Sequence, residues 1–285
     1  DSPIPFVEYA PNEKGERPSV CDYRYGYGRA LRDHVVRPVV FFAYAGRMRW
    51  RTRQGHEMES RLGELDTKDV TSQAWRTALD PAGEWIQTVL RSADKRLSQV
   101  RQAIPDAGGL VIATDQRAAR AYAEVLEEIS GETPVIVLSD EAGSSERIES
   151  FAAGEQRWLV AVRMVSEGVD VPRLAVGVYA TNASTPLFFA QAIGRFVRAR
   201  RRGETASVFL PNVQQLTTLA AGLERERDHA LDRAREDGDE LLLDDGLLDE
   251  ANREESGSDD LEEFTWAALE SDANFDRVLF DGDEY

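Results

Sequence analysis

From residue 109 onward the chain alternates short apolar runs with longer segments whose apolar residues recur every three or four positions. The runs occupy 109–113 (GLVIA), 134–138, 158–162, 174–180 and 205–210. Between them lie RAARAYAEVLEEI after Thr114, Asp115 and Gln116, a segment at 144–152, and one passing through Gln191 to Arg198. Strands without internal alternation are buried on both faces, and strand–helix alternation belongs to a parallel sheet. The pattern predicts an α/β fold with helices on both faces and a site formed by loops at the strands' C-terminal ends.

Upstream the pattern is more varied. It predicts a short helix over 23–32, a strand over 35–45, a charged helical excursion over 57–76, and an amphipathic helix over 81–102 with Trp85, Ile86, Val89, Leu90 and Leu97 as its buried stripe. These form an N-terminal strand and helix extension to the sheet. After the last strand, 212–235 reads as a long helix with Leu216, Leu219, Leu223 and Leu231 inward. Between 47 and 53 arginine recurs at every second position around Met48 and Trp50. In a strand this lines one face with guanidiniums. Two readings stay open: an edge strand protected by charge, or a phosphate-tracking stripe with Trp50 available for stacking.

Charge changes the picture at one end only. Residues 236–285 hold 20 Asp/Glu and 2 Arg, so the whole net charge of −18 lies there, and the preceding 235 residues balance 32 acidic against 32 basic groups. This acidic tail carries embedded apolar clusters, among them Leu241–Leu243, Phe264, Trp266, Phe275 and Val278–Phe280. It reads as disordered or docking through those clusters. Self-docking as a competitor in a basic path, recruitment of a protein partner, and simple solubilisation are its three readings.

Other classes are excluded by composition. No apolar run reaches membrane-spanning length, so no membrane partner is expected. The N-terminus lacks a basic and apolar signal core, and the lone Cys21 permits no internal disulfide; both point to the cytoplasm. His34, His56 and His229 lack ligand spacing, so no metal site is expected in this chain.

The candidate chemistry lies in 158–202. On a wheel of about 100° per residue, Gln191, Arg195 and Arg198 fall within about 60° of one another, opposite Phe189, Ile193, Phe196 and Val197. Gly194 beside them would admit a ligand closely. A fixed pair of guanidiniums suits a phosphoryl group; a solvated basic helix has the same spacing.

EGVDVP at 167–172 followed by QAIGRFVR at 191–198 resembles motifs V and VI of superfamily 2 helicases and translocases, and 109–116 resembles their motif IV. The likeness covers 108–210 closely and the N-terminal hundred residues loosely. It implies a RecA-like helicase C-terminal domain over 21–212, with 1–20 a linker, 213–235 a C-terminal helix and 236–285 the tail. By resemblance Arg195 and Arg198 are arginine fingers and Gln191 belongs to the nucleotide-sensing network. Glu167, Gly168 and Asp170 meet ATP, while Thr114, Asp115 and Gln116 meet nucleic acid. Where many members have Thr-Asp after the motif V strand, this chain has Val162 and Arg163, and Arg163 could supply a charged substitute.

No phosphate-loop pattern G-x-x-x-x-G-K-[ST] occurs, so the resemblance implies an upstream RecA-like motor domain in a longer protein, holding most of the ATP and Mg2+ contacts. The EGVDVP form is closer to the bacterial restriction-subunit and repair-translocase branches than to the RNA-directed branch, which favours DNA over RNA. A different class also fits: a RecA-like binding module without catalysis, working through its acidic tail.

Overall fold

The computed structural model describes residues 26–52, 54–138, 141, 143–162, 171–200, 204–233 and 267–279. Six strands run parallel in the order β1-β7-β6-β3-β5-β4. They are β1 (Val39–Arg51), β3 (Gly108–Ala113), β4 (Val135–Val137), β5 (Trp158–Val162), β6 (Leu174–Ala180) and β7 (Ala206–Pro211). Every residue of β3, β6 and β7 is buried. That is the reason their sequences are almost wholly apolar: helices cover both faces. One layer holds α2 (Lys68–Ala78), α3 (Glu84–Ala103) and α4 (Gln116–Ser130); the other holds α6 (Pro186–Gly194), α7 (Gln214–Arg233) and, against α7, α1 (Tyr27–Arg32). The helix α5 (Ser144–Ala153) packs beside the edge strand β4. The fold is the RecA-like α/β sheet that the sequence predicts.

The N-terminal half departs from expectation. The strand expected at 35–45 and the arginine-rich run form one 13-residue strand. Its first half belongs to the parallel sheet, pairing Val39↔Ala206 through Tyr44↔Pro211 with β7. Its second half projects past the C-terminal edge and pairs antiparallel with β2 (Glu57–Leu62), from Gly46↔Leu62 to Arg51↔Glu57. The expected helix over 57–76 is therefore a strand and a helix. Ser60 and Leu62 point inward while Glu59 and Arg61 point out, a period of two that high charge conceals. Gly63, at φ 98°, ends the strand, and the Thr67 hydroxyl caps α2 by accepting from the Val70 amide.

The tail supplies the other flank of β1. β8 (Ala267–Ser271) pairs with residues 48–51 of β1, and β9 (Asn274–Leu279) with residues 41–45, both antiparallel. The arginine stripe is thus neither an exposed edge nor open to a ligand on a stacking tryptophan. Arg49 bonds Glu270 at 2.7 Å and Glu57 at 3.3 Å, Arg51 bonds Glu57 at 2.9 Å, and Trp50 is buried. These solvent-exposed pairs fix register more than they add stability.

The junction of β8 and β9 is tightly seated. The Ser271 hydroxyl accepts from the Trp85 amide at 3.2 Å, the Trp85 indole donates to the Ala45 carbonyl at 3.1 Å, and the Asn212 amide donates to Asp276 at 2.9 Å. A Cβ on Gly46 would stand 1.8 Å from the Asp272 carbonyl oxygen, so glycine is required where this backbone crosses. Gly46→Ala is expected to displace the closing strand and lower unfolding stability by about 1–3 kcal/mol. Chemical denaturation measures it, and an unchanged midpoint would show that residue 272 does not seat there.

Candidate phosphate and nucleic-acid edges

The two ends of the parallel sheet carry different chemistry. At the C-terminal edge, β3 runs into Thr114 and Asp115 and then α4. Asp115 is extended, at φ −149°, and its carboxylate accepts from the Ala118 amide at 2.8 Å, making it the N-cap. The Thr114 hydroxyl instead turns toward the Ala180 carbonyl at the end of neighbouring β6, at 3.4 Å. Gln116 opens the helix and is exposed. A helix start of this kind directs backbone amides outward to an anion.

Arg195 and Arg198 do not share that edge. The sequence predicts one helix through both, but α6 ends at Gly194. Arg195 is its C-cap, and the Arg195 and Phe196 amides bond three residues back, to Ala192 and Ile193, which tightens the last turn. The chain then leaves the helix as a strap, with Arg198 paired to Val36 just ahead of β1. The physical cause is Arg37. Its amide donates to the Val197 carbonyl at 2.6 Å and its Nε to the Phe196 carbonyl at 2.8 Å, binding carbonyls that a continuing helix would bond internally. The strap lies at the N-terminal edge, since Arg37 also donates to the Leu174 carbonyl where β6 begins and Arg200 bonds Asp106 just before β3.

One aromatic foot anchors this strap. Phe196 is buried with its ring directly on the Gly177 backbone of β6; a Cβ there would be 2.5 Å from the ring. Arg195 is half-buried, while Gln191, Gly194 and Arg198 are exposed, and nothing would obstruct a Cβ on Gly194. Downstream, the Arg200 guanidinium grips the Asp106 carboxylate at 2.6 and 3.2 Å. That hydrogen bond holds the Asp106 carboxyl below its ordinary range against the opposing effect of burial.

Buried guanidiniums underlie this edge, Arg37 and Arg173 among them. Arg37, 2% exposed, pairs with buried Glu204 at 3.1 Å, and Glu204 also accepts from the Arg200 amide at 3.2 Å. Burial lowers the Arg37 pKa and Glu204 opposes the shift. Arg173 donates to the carbonyls of Phe151, Asp106 and Gln156 at 2.8–2.9 Å and lies 3.8 Å over the Phe151 ring. Burial, with nearby Arg101, pulls it down to about 10.

Glu167, Gly168, Asp170 and Arg163 lie outside the described residues; the described chain resumes at buried Val171, beside the start of β6. Among the described residues no group of three His, Cys, Asp or Glu could hold a metal, and no helix is long and apolar enough to cross a membrane. Arg37 and Glu204 belong to no motif in the sequence. The available signal was a lone charge in the apolar run VVRPVVFF at 35–42.

Residues 96–200 match the family described as the helicase conserved C-terminal domain. An uncharacterized protein of Mycobacterium tuberculosis is 56% identical over all 285 residues, which cover 47% of it. A Mycobacterium leprae protein is 52% identical over the same length, also covering 47%. The chain therefore spans about half the length of the curated relatives it matches. Among solved structures, a fragment described as an HsdR subunit of a type I restriction enzyme from Vibrio vulnificus aligns with 70% of this chain and 36% of its own, at 15% identity and a TM-score of 0.49. The Hef helicase domain of Pyrococcus furiosus aligns with 43% of this chain and 25% of its own, at 18% identity and a TM-score of 0.33.

The cap gives a direct check on the C-terminal edge. Asp115→Ala is expected to cost about 1 kcal/mol of stability, read by denaturant unfolding; no change would mean that α4 starts without that carboxylate.

Proposed function

We propose that this chain, whose residues 96–200 match the helicase conserved C-terminal domain, is the second motor domain of an ATP-dependent translocase or helicase that acts on DNA. One observation carries the reading: a strap at the N-terminal edge with a buried foot at Phe196 and arginines on either side of it, Arg195 half-buried and Arg198 exposed. The donor set fits a polyphosphate. Guanidinium forks match phosphate oxygens, and the neighbouring carboxylates Asp106 and Glu204 are already bonded to Arg200 and Arg37.

ATP, held mainly by an upstream motor domain with its magnesium ion, supplies a terminal phosphoryl group for transfer to water. Arg195 and Arg198 set positive charge against that group, and the packed strap fixes their position in advance. Gln191, Glu167, Gly168 and Asp170 are assigned to the same nucleotide contact. Thr114, Asp115 and Gln116, with Arg163, are assigned to a nucleic-acid phosphate at the opposite edge. The sheet then links two ligands held at its two ends. DNA is preferred to RNA because EGVDVP resembles the restriction-subunit and repair-translocase branches.

The test is nucleic-acid-stimulated ATP turnover by the full-length natural protein, with Arg195→Ala beside it. The expected result is robust turnover that falls by about a thousandfold or more in the variant, and little or none from residues 1–285 alone. No turnover by either full-length protein would replace this reading with that of a binding module.

A further inference from the structure

The strap that carries the two arginines has no secondary structure of its own, so something else must hold it. Its carbonyls at Phe196 and Val197 are both taken by one residue, Arg37, through side chain and amide respectively. Val36 pairs with Arg198 itself. The remaining Arg37 donors reach Glu204 and the Leu174 carbonyl, and Glu204 in turn receives the Arg200 amide. The buried ion pair therefore fixes the strap near Phe196 and at Arg200, and the backbone of Val36 and Arg37 holds it at Val197 and Arg198 between them.

A core salt bridge is a weak source of stability, because desolvation offsets most of the attraction. An apolar pair could fill the same space. Only a planar, multi-donor cation, however, can bind the carbonyls of Phe196 and Leu174 and a carboxylate together. Lysine, a point charge with no planar fork, cannot reproduce the arrangement.

We propose that Arg37, backed by Glu204, is the positioning residue that aims Arg195 and Arg198 at the nucleotide. This rests on the arginine-finger reading above. Arg37 touches no reacting atom; it acts by holding the backbone of the strap. A displacement of the strap of the order of 1 Å would leave nucleotide affinity largely intact and reduce the rate of the step the arginines assist.

The experiment is a mutant cycle on the full-length natural protein under saturating DNA, comparing Arg37→Lys, the charge-neutral pair Arg37→Gln with Glu204→Gln, Arg195→Ala, and each combined with Arg195→Ala. The neutral pair leaves no orphaned buried charge, so it decides the matter if Arg37→Lys does not fold. Expected is a fall in kcat of about a hundredfold with little change in KM for ATP. Combined with Arg195→Ala, each change should add clearly less than its loss in the natural background, only the part that acts through Arg198, because the Arg195 contribution is already gone. Unchanged kcat in a folded Arg37 variant, alongside a large loss in Arg195→Ala, overturns the positioning role while leaving the finger. Losses that multiply in the combined variants also overturn it, since they indicate general damage. Full activity in Arg195→Ala overturns the finger reading and this inference with it.

Discussion

Pairing of the buried guanidiniums of Arg37 and Arg173 is the interaction on which the N-terminal edge depends. Burying a cation is costly unless every donor finds a partner. Each guanidinium nitrogen of Arg37 and Arg173 meets a partner, in all but one case a backbone carbonyl at the N-terminal edge, where strands begin and the ladder does not supply all the partners. Each arginine thereby fixes chain segments distant in sequence. Arg173 joins the start of β6 to the approaches of β3 and β5, and Arg37 joins the start of β1 to the end of α6 and to β6. Moving one of these segments would leave a buried donor or acceptor unpaired, so the edge behaves as a unit.

The other long-range element is β1. It serves the parallel sheet with its first half and an antiparallel ribbon with its second, and its free flank is closed by β8 and β9 from the far end of the chain. Acidic side chains in that closing ribbon have specific work: Glu270 meets Arg49 and Asp276 meets Asn212. The same strand that receives the tail begins beside Arg37, so the sheet's outer flank and the arginine strap share one backbone.

What the sequence revealed follows from which interactions are local. The strands β3, β5, β6 and β7 are legible because two covered faces demand unbroken apolar runs. β2 was not, since only Ser60 and Leu62 of its six residues are buried and charge dominates the rest. The end of α6 was not, because helical spacing continues through Arg198 while the interruption comes from Arg37, roughly 160 residues away in sequence. The closing ribbon was legible only as one of two alternatives, docking through clusters that include Phe275 against disorder, and its strand pairing with β1 had no local signal. Motif spacing singled out Arg195 and Arg198 as candidates, and they lie at the N-terminal edge because α6 returns along the sheet from the end of β6.

The proposed division of the sheet into a nucleotide edge and a nucleic-acid edge is tested most directly by a structure of the full-length natural protein with a non-hydrolysable ATP analogue and duplex DNA. The account predicts Arg195 and Arg198 within about 3 Å of the terminal phosphate oxygens, and a DNA phosphate at the amides that open α4 on the opposite edge. A nucleotide seated beside Thr114 and Asp115, with the 195–200 strap turned away from it, would contradict that division.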